Sequence, residues 1–377
     1  MVDRALSSSR PLALARWLWV VAAVVVMVLV VGGITRMTES GLSITDWRPV
    51  SGVIPPLSEA QWEAEFAAYK QIPQYTQMNG PAGMTLASYK QIFFWEWFHR
   101  FIVRTGLSLS FVLPLVWFWA RGAIPAGFKP RLIGLLALGG SQAVVGWLMV
   151  RSGLDAGADV KVSHFWLAAH LLLALTLLAA LVWNALDLSA AARGNPPARL
   201  TRLGGLALAA LALQLGYGAL VAGLRAGPVA GGGWFNWQTW PLMQGSLVPA
   251  GIDFSGGVFN AFVADPYLVH FTHRWWAWVA LAALIVLARK VRPLDRRAAQ
   301  GIHAAAGIQV LLGIATVMSG IALWLAALHQ LTGALLLVAT VLGAHRLGAH
   351  RLKAQQPGAH QQRAHQRRAE AAPHPAR

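Results

Sequence analysis

The sequence predicts an all-α polytopic membrane protein whose eight transmembrane helices form two duplicated four-helix bundles. Three observations lead there: eight separate apolar runs, a one-sided distribution of lysine and arginine, and motifs that recur between the two halves of the chain. Composition agrees. Of 377 residues, 56% are hydrophobic and only 12% charged, where a soluble domain carries about a quarter charged.

A membrane span needs about 20 mostly apolar residues. Such runs occupy 17–35, 93–119, 132–150, 163–186, 203–223, 267–288, 302–320 and 322–343, the last two parted by a very short turn. The first is long enough to span and lacks a small-residue cleavage site, so it reads as a span and not as a cleaved signal peptide. Both tails and the even connections together hold 21 of the 31 lysines and arginines. The positive-inside rule then places both termini in the cytoplasm. Topology accounts for the net charge of +17, and no nucleic-acid partner is implied. The absence of cysteine excludes disulfides and thiolate-held metal or Fe–S sites.

The predicted organisation follows. Residues 1–16 form an N-terminal cytoplasmic tail, 17–186 a first bundle with a long outer loop at 37–92, and 187–202 a cytoplasmic linker. Residues 203–344 form a second bundle with an outer loop at 224–266, and 345–377 a basic, low-complexity tail. The tail is expected to be disordered. An amphipathic stretch at 57–70 is expected to lie as a helix on the membrane, and the second outer loop is rich in Gly and Trp. Long ordered loops are often functional.

The repeat is visible residue by residue. Phe98-His99-Arg100 in the second span answers to Thr272-His273-Arg274 in the sixth. SQAVVGWLMVRSG, from Ser141, answers to IQVLLGIATVMSG, from Ile308. Both carry Gln four residues before Gly, as do Gln214 and Gly218 in the fifth span. His170 in the fourth span answers to His329 in the eighth. Small residues at such positions let membrane helices approach closely, and four-helix bundles hold cofactors between facing helices.

Histidines inside a membrane are rare and usually functional. His99, His170, His273 and His329 fall six to eight residues below the outer ends of the even runs. At 1.5 Å per residue that is about 9–12 Å inside the outer face. One histidine per even span at matched depth suits axial ligation, pairing His99 with His170 and His273 with His329. With no thiolate or carboxylate among them, the metal expected is heme iron, whose macrocycle supplies four nitrogens itself. His164, His270 and His303 point to other faces or depths and are read as non-ligands. Arg100 and Arg274 follow two of the ligands and either pair with anionic propionates or snorkel to the interface. Glu96 lies one turn before His99, where the sixth span has His270. A carboxylate there can act as a base or stabilise a cation. The asymmetry assigns chemistry to the first bundle and an auxiliary heme to the second.

These residues resemble the heme A synthase family of proteobacterial and mitochondrial type over almost the whole chain. The resemblance rests on GGITRMTESGLSITDWRPVSGVIPPLSEAQW from Gly32, EFAAYKQIPQY from Glu65, IFFWEWFHR from Ile92, WPLMQG from Trp240 and HQLTGALLL from His329. It implies oxidation of a ring methyl of heme O to a formyl group by successive hydroxylations, giving heme A for cytochrome oxidase. It implies heme O between His99 and His170 with Arg100 nearby, Glu96 as catalytic carboxylate, and heme b on His273 and His329 with Arg274 nearby. The chain lacks the cysteine pair that some members of the family carry in the first outer loop, and it has Gln244 where an aspartate is usual. The partners implied are heme O, the bilayer of a bacterial inner membrane, an unspecified electron acceptor, a heme O synthase (a farnesyltransferase) and further copies of the chain. The competing reading is a non-catalytic di-heme b cytochrome exchanging electrons with quinone. A transporter is disfavoured because no mid-membrane helix break is evident.

Overall fold

The computed structural model describes residues 9–48, 51–154 and 160–354. The start of the N-terminal tail and residues 355–377 of the basic tail lie outside them. The described residues are helical with no strand, only an isolated bridge between Met243 and Ser246. Eight helices are long and apolar enough to cross a membrane. They are Pro11–Met37, Leu86–Ala120, Lys129–Leu154, His164–Ala191, Arg202–Leu224, Pro266–Val291, Arg296–Met318 and Leu323–Ala354, here called the first to eighth spans.

Most spans outrun their apolar stretches because polar caps start them early. Thr201, Asp265 and Asp295 each accept a hydrogen bond from the backbone N–H three residues on, at 3.1, 2.7 and 3.0 Å. These bonds satisfy donors that a helix start otherwise leaves open. Pro11 occupies the first turn of the first span, where its missing N–H costs nothing. Arg16, read from the sequence as tail, therefore lies inside a helix.

Two boundaries differ from the sequence expectation in an instructive way. The second span begins at Leu86, not near 93, and runs 35 residues to Ala120. At 1.5 Å per residue that is about 52 Å, well beyond the roughly 30 Å of a hydrocarbon core. Its extra turns are held by protein, not lipid: Tyr89 and Phe93 are buried with Phe66 and Tyr69 of the helix Glu59–Tyr69. Phe66 stacks on Tyr89 with ring centroids 5.0 Å apart. The amphipathic stretch of the first outer loop is thus helical as expected, started by a capping box at Ser58 and Gln61, and its buried side faces the second span. The eighth span continues through His345 to Ala354, so the first ten residues of the expected disordered tail are ordered. His345 is buried and bonds Asp187 at 2.9 Å, and the apolar stripe of the span carries it inward.

The first span shows why these helices associate. Leu14, Leu18, Val21, Val25 and Leu29 are buried at spacings of three and four, which is one helical face. They join the buried Leu178, Leu181, Val182 and Ala185 of the neighbouring fourth span in one core cluster. The opposite sides, with Val20, Leu113, Val116, Leu206 and Leu311, are exposed. On a soluble protein such a girdle would be an aggregation surface; facing lipid it is solvated.

In the second half, the fifth to eighth spans contact one another in a closed ring. In the first half, the first span contacts the second and fourth and the fourth contacts the third, while the second and third barely touch. The halves meet where the fourth span lies against the fifth and eighth, and the eighth against the first. Polar clasps reinforce the seam. On the side of the long loops, Arg36 donates to the Ala222 carbonyl at 2.6 Å and to Glu39 at 2.9 Å, and Glu39 also pairs with Arg225. On the other side, fully buried Asp187 accepts from Arg131 at 2.7 Å, the Ala198 N–H at 2.8 Å and His345.

Candidate functional site

His170, His273 and His329 lie six, seven and six residues after the starts of their helices, whereas His99 lies 13 after the start of the overhanging second span. His99 stands on the second span and His170 on the fourth, His273 on the sixth and His329 on the eighth. The four histidines are half-buried.

Each ring is seated on a glycine of the preceding odd span. A Cβ added at Gly32 would lie 3.1 Å from His99 Nε2. One added at Gly146 would lie 3.0 Å from His170, at Gly218 3.1 Å from His273, and at Gly313 3.0 Å from His329. Such approaches are tighter than ordinary van der Waals contact, so any side chain would push the ring away. Sequence reasoning took these glycines as general helix-packing residues. Their alignment with the histidines four times over is the signal it passed by.

The glutamines four residues before three of those glycines also reach the site. The side-chain Nε2 of Gln214 lies 3.2 Å from His273 Nδ1, and that of Gln309 lies 3.3 Å from His329 Nε2. Gln142 instead donates to the main-chain carbonyl of His170 at 3.3 Å.

The arginines that follow His99 and His273 turn outward. Arg100 donates to the Ile44 carbonyl at 3.2 Å and to Glu96 at 2.5 Å. Arg274 donates through one nitrogen to the carbonyls of Thr239 at 3.0 Å, Pro241 at 3.3 Å and Leu242 at 2.6 Å. Each His-Arg pair therefore faces the bundle with one residue and ties down an outer loop with the next. Glu96 is only 2% exposed. Its carboxylate accepts from Ser43 Oγ at 2.7 Å and the Ile44 N–H at 2.8 Å as well as from Arg100. The carboxylate is therefore committed to the first outer loop and not directed at the His99 ring. Directly after Phe101 the second span passes through a π-helical stretch, Ile102–Leu107. Such segments gather at functional sites, and the sixth span has none. Two of the three expected non-ligands bond main-chain carbonyls, while the ring Nε2 of the third, His164, is buried without a partner. His270 Nδ1 lies 2.8 Å from the Ala226 carbonyl and His303 Nδ1 lies 2.8 Å from that of Ala299, while the backbone of His164 packs on Gly223.

The residues present fit heme. Among the described residues no group of three or more His, Asp or Glu is placed to hold a metal ion, so a metal held between two of these histidines would have to bring most of its own donors. His170 Nδ1, His329 Nδ1 and Arg274 Nη2 are buried without a hydrogen-bond partner. Unsatisfied buried polar atoms of this kind mark places where a further group belongs. The two imidazoles of a pair offer axial donors, and the free guanidinium nitrogen offers a donor for a propionate.

Fold and site together define a multi-pass membrane protein with one glycine-seated histidine in each even span. Comparison with known proteins gives the family. The chain belongs to the family described as cytochrome oxidase assembly protein, whose match spans residues 15–341. It is 61% identical to the heme A synthase of Novosphingobium aromaticivorans over 334 residues, covering 89% of this chain and 95% of that protein. It is 55% identical to the heme A synthase of Erythrobacter litoralis over 337 residues, covering 89% and 97%. Against that of Sphingopyxis alaskensis it is 54% identical over 340 residues, covering 89% and 92%.

Proposed function

We infer that this chain is a heme A synthase, a membrane oxidoreductase that converts a ring methyl of heme O into the formyl group of heme A. The observation that carries the reading is the fourfold seating of a spanning-helix histidine on a glycine, in a chain whose relatives bear that activity in their names. The net conversion, written with water as oxygen donor, adds one oxygen to the methyl carbon and releases four protons and four electrons to an acceptor. Two successive hydroxylations give a hydrated aldehyde, which loses water.

His99 and His170 hold the substrate heme O, with Arg100 near its propionates. His273 and His329 would hold a resident heme b, and the unbonded Nη2 of Arg274 would be the donor for a propionate. When bound, that heme supplies one-electron chemistry, tuned by its two imidazoles. Glu96 is the catalytic carboxylate of the first site, and to act at the substrate it exchanges one of its present bonds to Ser43, Ile44 or Arg100. The two sites belong to duplicated bundles at 17–186 and 203–344. The lysine and arginine bias supports an inner-membrane topology with both termini cytoplasmic. A heme O-producing farnesyltransferase is the natural supplier of substrate.

Pigment extraction from the purified protein tests this. Heme B together with heme O or heme A is expected. Heme B alone would make the chain a di-heme cytochrome, and no heme would overturn both readings.

A further inference from the structure

The two halves grip their histidines differently. In the second half, both rings have a glutamine amide within hydrogen-bond distance: Gln214 at 3.2 Å from His273 Nδ1 and Gln309 at 3.3 Å from His329 Nε2. Each glutamine sits one helical turn before the glycine that seats the same ring, so one span holds the imidazole at two points. In the first half neither ring is held. Gln142 occupies the equivalent place but bonds the main-chain carbonyl of His170, and His170 Nδ1 is buried without a partner. Four residues before Gly32 the first span carries Val28, which has no amide.

We propose that Gln214 and Gln309 are positioning residues that accept the ring N–H of His273 and His329 and fix both imidazoles for axial ligation of the resident heme. The first-half histidines lack this hold, and that site exchanges its heme. This rests on the assignment of a resident heme to the second half.

The chemistry follows from the amides. A neutral imidazole that binds a metal through one nitrogen carries its proton on the other, and an oxygen acceptor there sets tautomer and ring orientation and raises ligand basicity. A carboxamide has an oxygen and a nitrogen end of nearly equal shape. The Oε1 atoms of Gln214 and Gln309 are both buried without a partner. Turning each amide by half a rotation places that oxygen on the ring N–H and leaves the second ring nitrogen with its lone pair free. A more basic imidazole favours ferric over ferrous iron, so the glutamines hold the heme potential down. For the first half, the same reasoning gives a weaker hold on the ring, which suits a site that must take up one heme and release another.

Full-length Gln214→Leu and Gln309→Leu proteins provide the test, with heme content, potentiometric titration and the low-spin electron paramagnetic resonance signal as readouts. The expected result is retained heme b, a midpoint potential shifted positive, and an altered low-spin signal in both variants. Gln142→Leu is expected to leave the heme b potential unchanged. Transfer of heme to excess apomyoglobin is expected to empty the first site before the second in the wild type, and to remove heme b several-fold faster from either variant. Full heme b content with unshifted potential, unchanged resonance and wild-type transfer rates would overturn the proposal. If a leucine variant fails to retain heme, Gln214→Glu and Gln309→Glu decide: a negative shift supports it, and no shift overturns it. A wild-type protein without heme b would instead remove the assignment on which the proposal rests.

Discussion

Gln330 donates its side-chain amide to the main-chain carbonyl of Leu29 at 2.6 Å, bridging the eighth span to the first. The same amide lies against Gly33, where a Cβ would overlap it. Gln330 is the neighbour of His329, and Gly33 is the neighbour of Gly32, which seats His99. The two histidine pairs are therefore joined by a short run of direct contacts across the seam between the halves. Gly33→Ala is expected to displace Gln330 and lower the thermal unfolding midpoint of the purified protein. Gln330→Ala removes the obstacle, so the double variant should be less damaged than the sum of the single changes. Strict additivity would mean that the two residues do not interact.

The glycine seats predict site-selective loss. Gly313→Val should push His329 from its place and deplete heme B, while heme O and heme A persist in the extract. Gly146→Val should do the reverse through His170. The assay is chromatography of extracted hemes, and equal depletion of all hemes by either change would contradict separate seats.

Glu96→Ala should block heme A formation while heme remains bound. It also removes the acceptor for Ser43, Ile44 and Arg100, so a structural loss has to be told apart from a chemical one. Glu96→Gln keeps an oxygen acceptor of the same shape and loses only the charge. Absent heme A in the glutamine variant, with both hemes present, assigns the charge a part in the reaction. Normal heme A yield in either variant would sink the assignment of Glu96.

Much of this arrangement was legible in the sequence because apolar runs and intramembrane histidines are local signals. Length and hydropathy alone locate the eight spans to within several residues at most ends. The helix 86–101 was cut short because its first turns are stabilised by Phe66 and Tyr69, far away in sequence, and not by lipid. His345 reads as a tail residue in sequence because its partner, Asp187, is 158 positions distant. Glu96 was recognised as unusual from its place one turn from His99. Its bonds to Ser43 and Ile44 depend on how the first outer loop folds back, which no spacing within the second span encodes. The glycine seats were visible as small residues, but only the packing of odd against even spans shows what they accommodate.

The first outer loop carries its own pH signature. Tyr69 is fully buried. Its hydroxyl donates to Gln74 at 2.9 Å and accepts from Asn79 at 2.6 Å. Burial pushes its phenol up from 10.0 to about 12. The folded loop therefore keeps this proton at pH values where an unfolded one loses it. The contribution to stability is complete below pH 10 and disappears as the pH rises toward 12. Tyr89 is fully buried as well, so ultraviolet titration of phenolate should show more than one late-ionising tyrosine, and Tyr69→Phe should remove one of them. That substitution strands Gln74 and Asn79 and is expected to cost about 1–3 kcal/mol. A wild-type protein whose tyrosines all ionise near pH 10 would contradict the packing of this loop.

The adjacency of His99 to Arg100, and of His273 to Arg274, has a consequence for how the protein reports its own occupancy. Within each pair a single peptide bond separates a group turned toward the bundle interior from one fastened to backbone carbonyls of an exterior loop. Heme binding that displaces either helix is expected to register outside, as a change in how readily a protease cuts the loops beside Ile44 and Leu242.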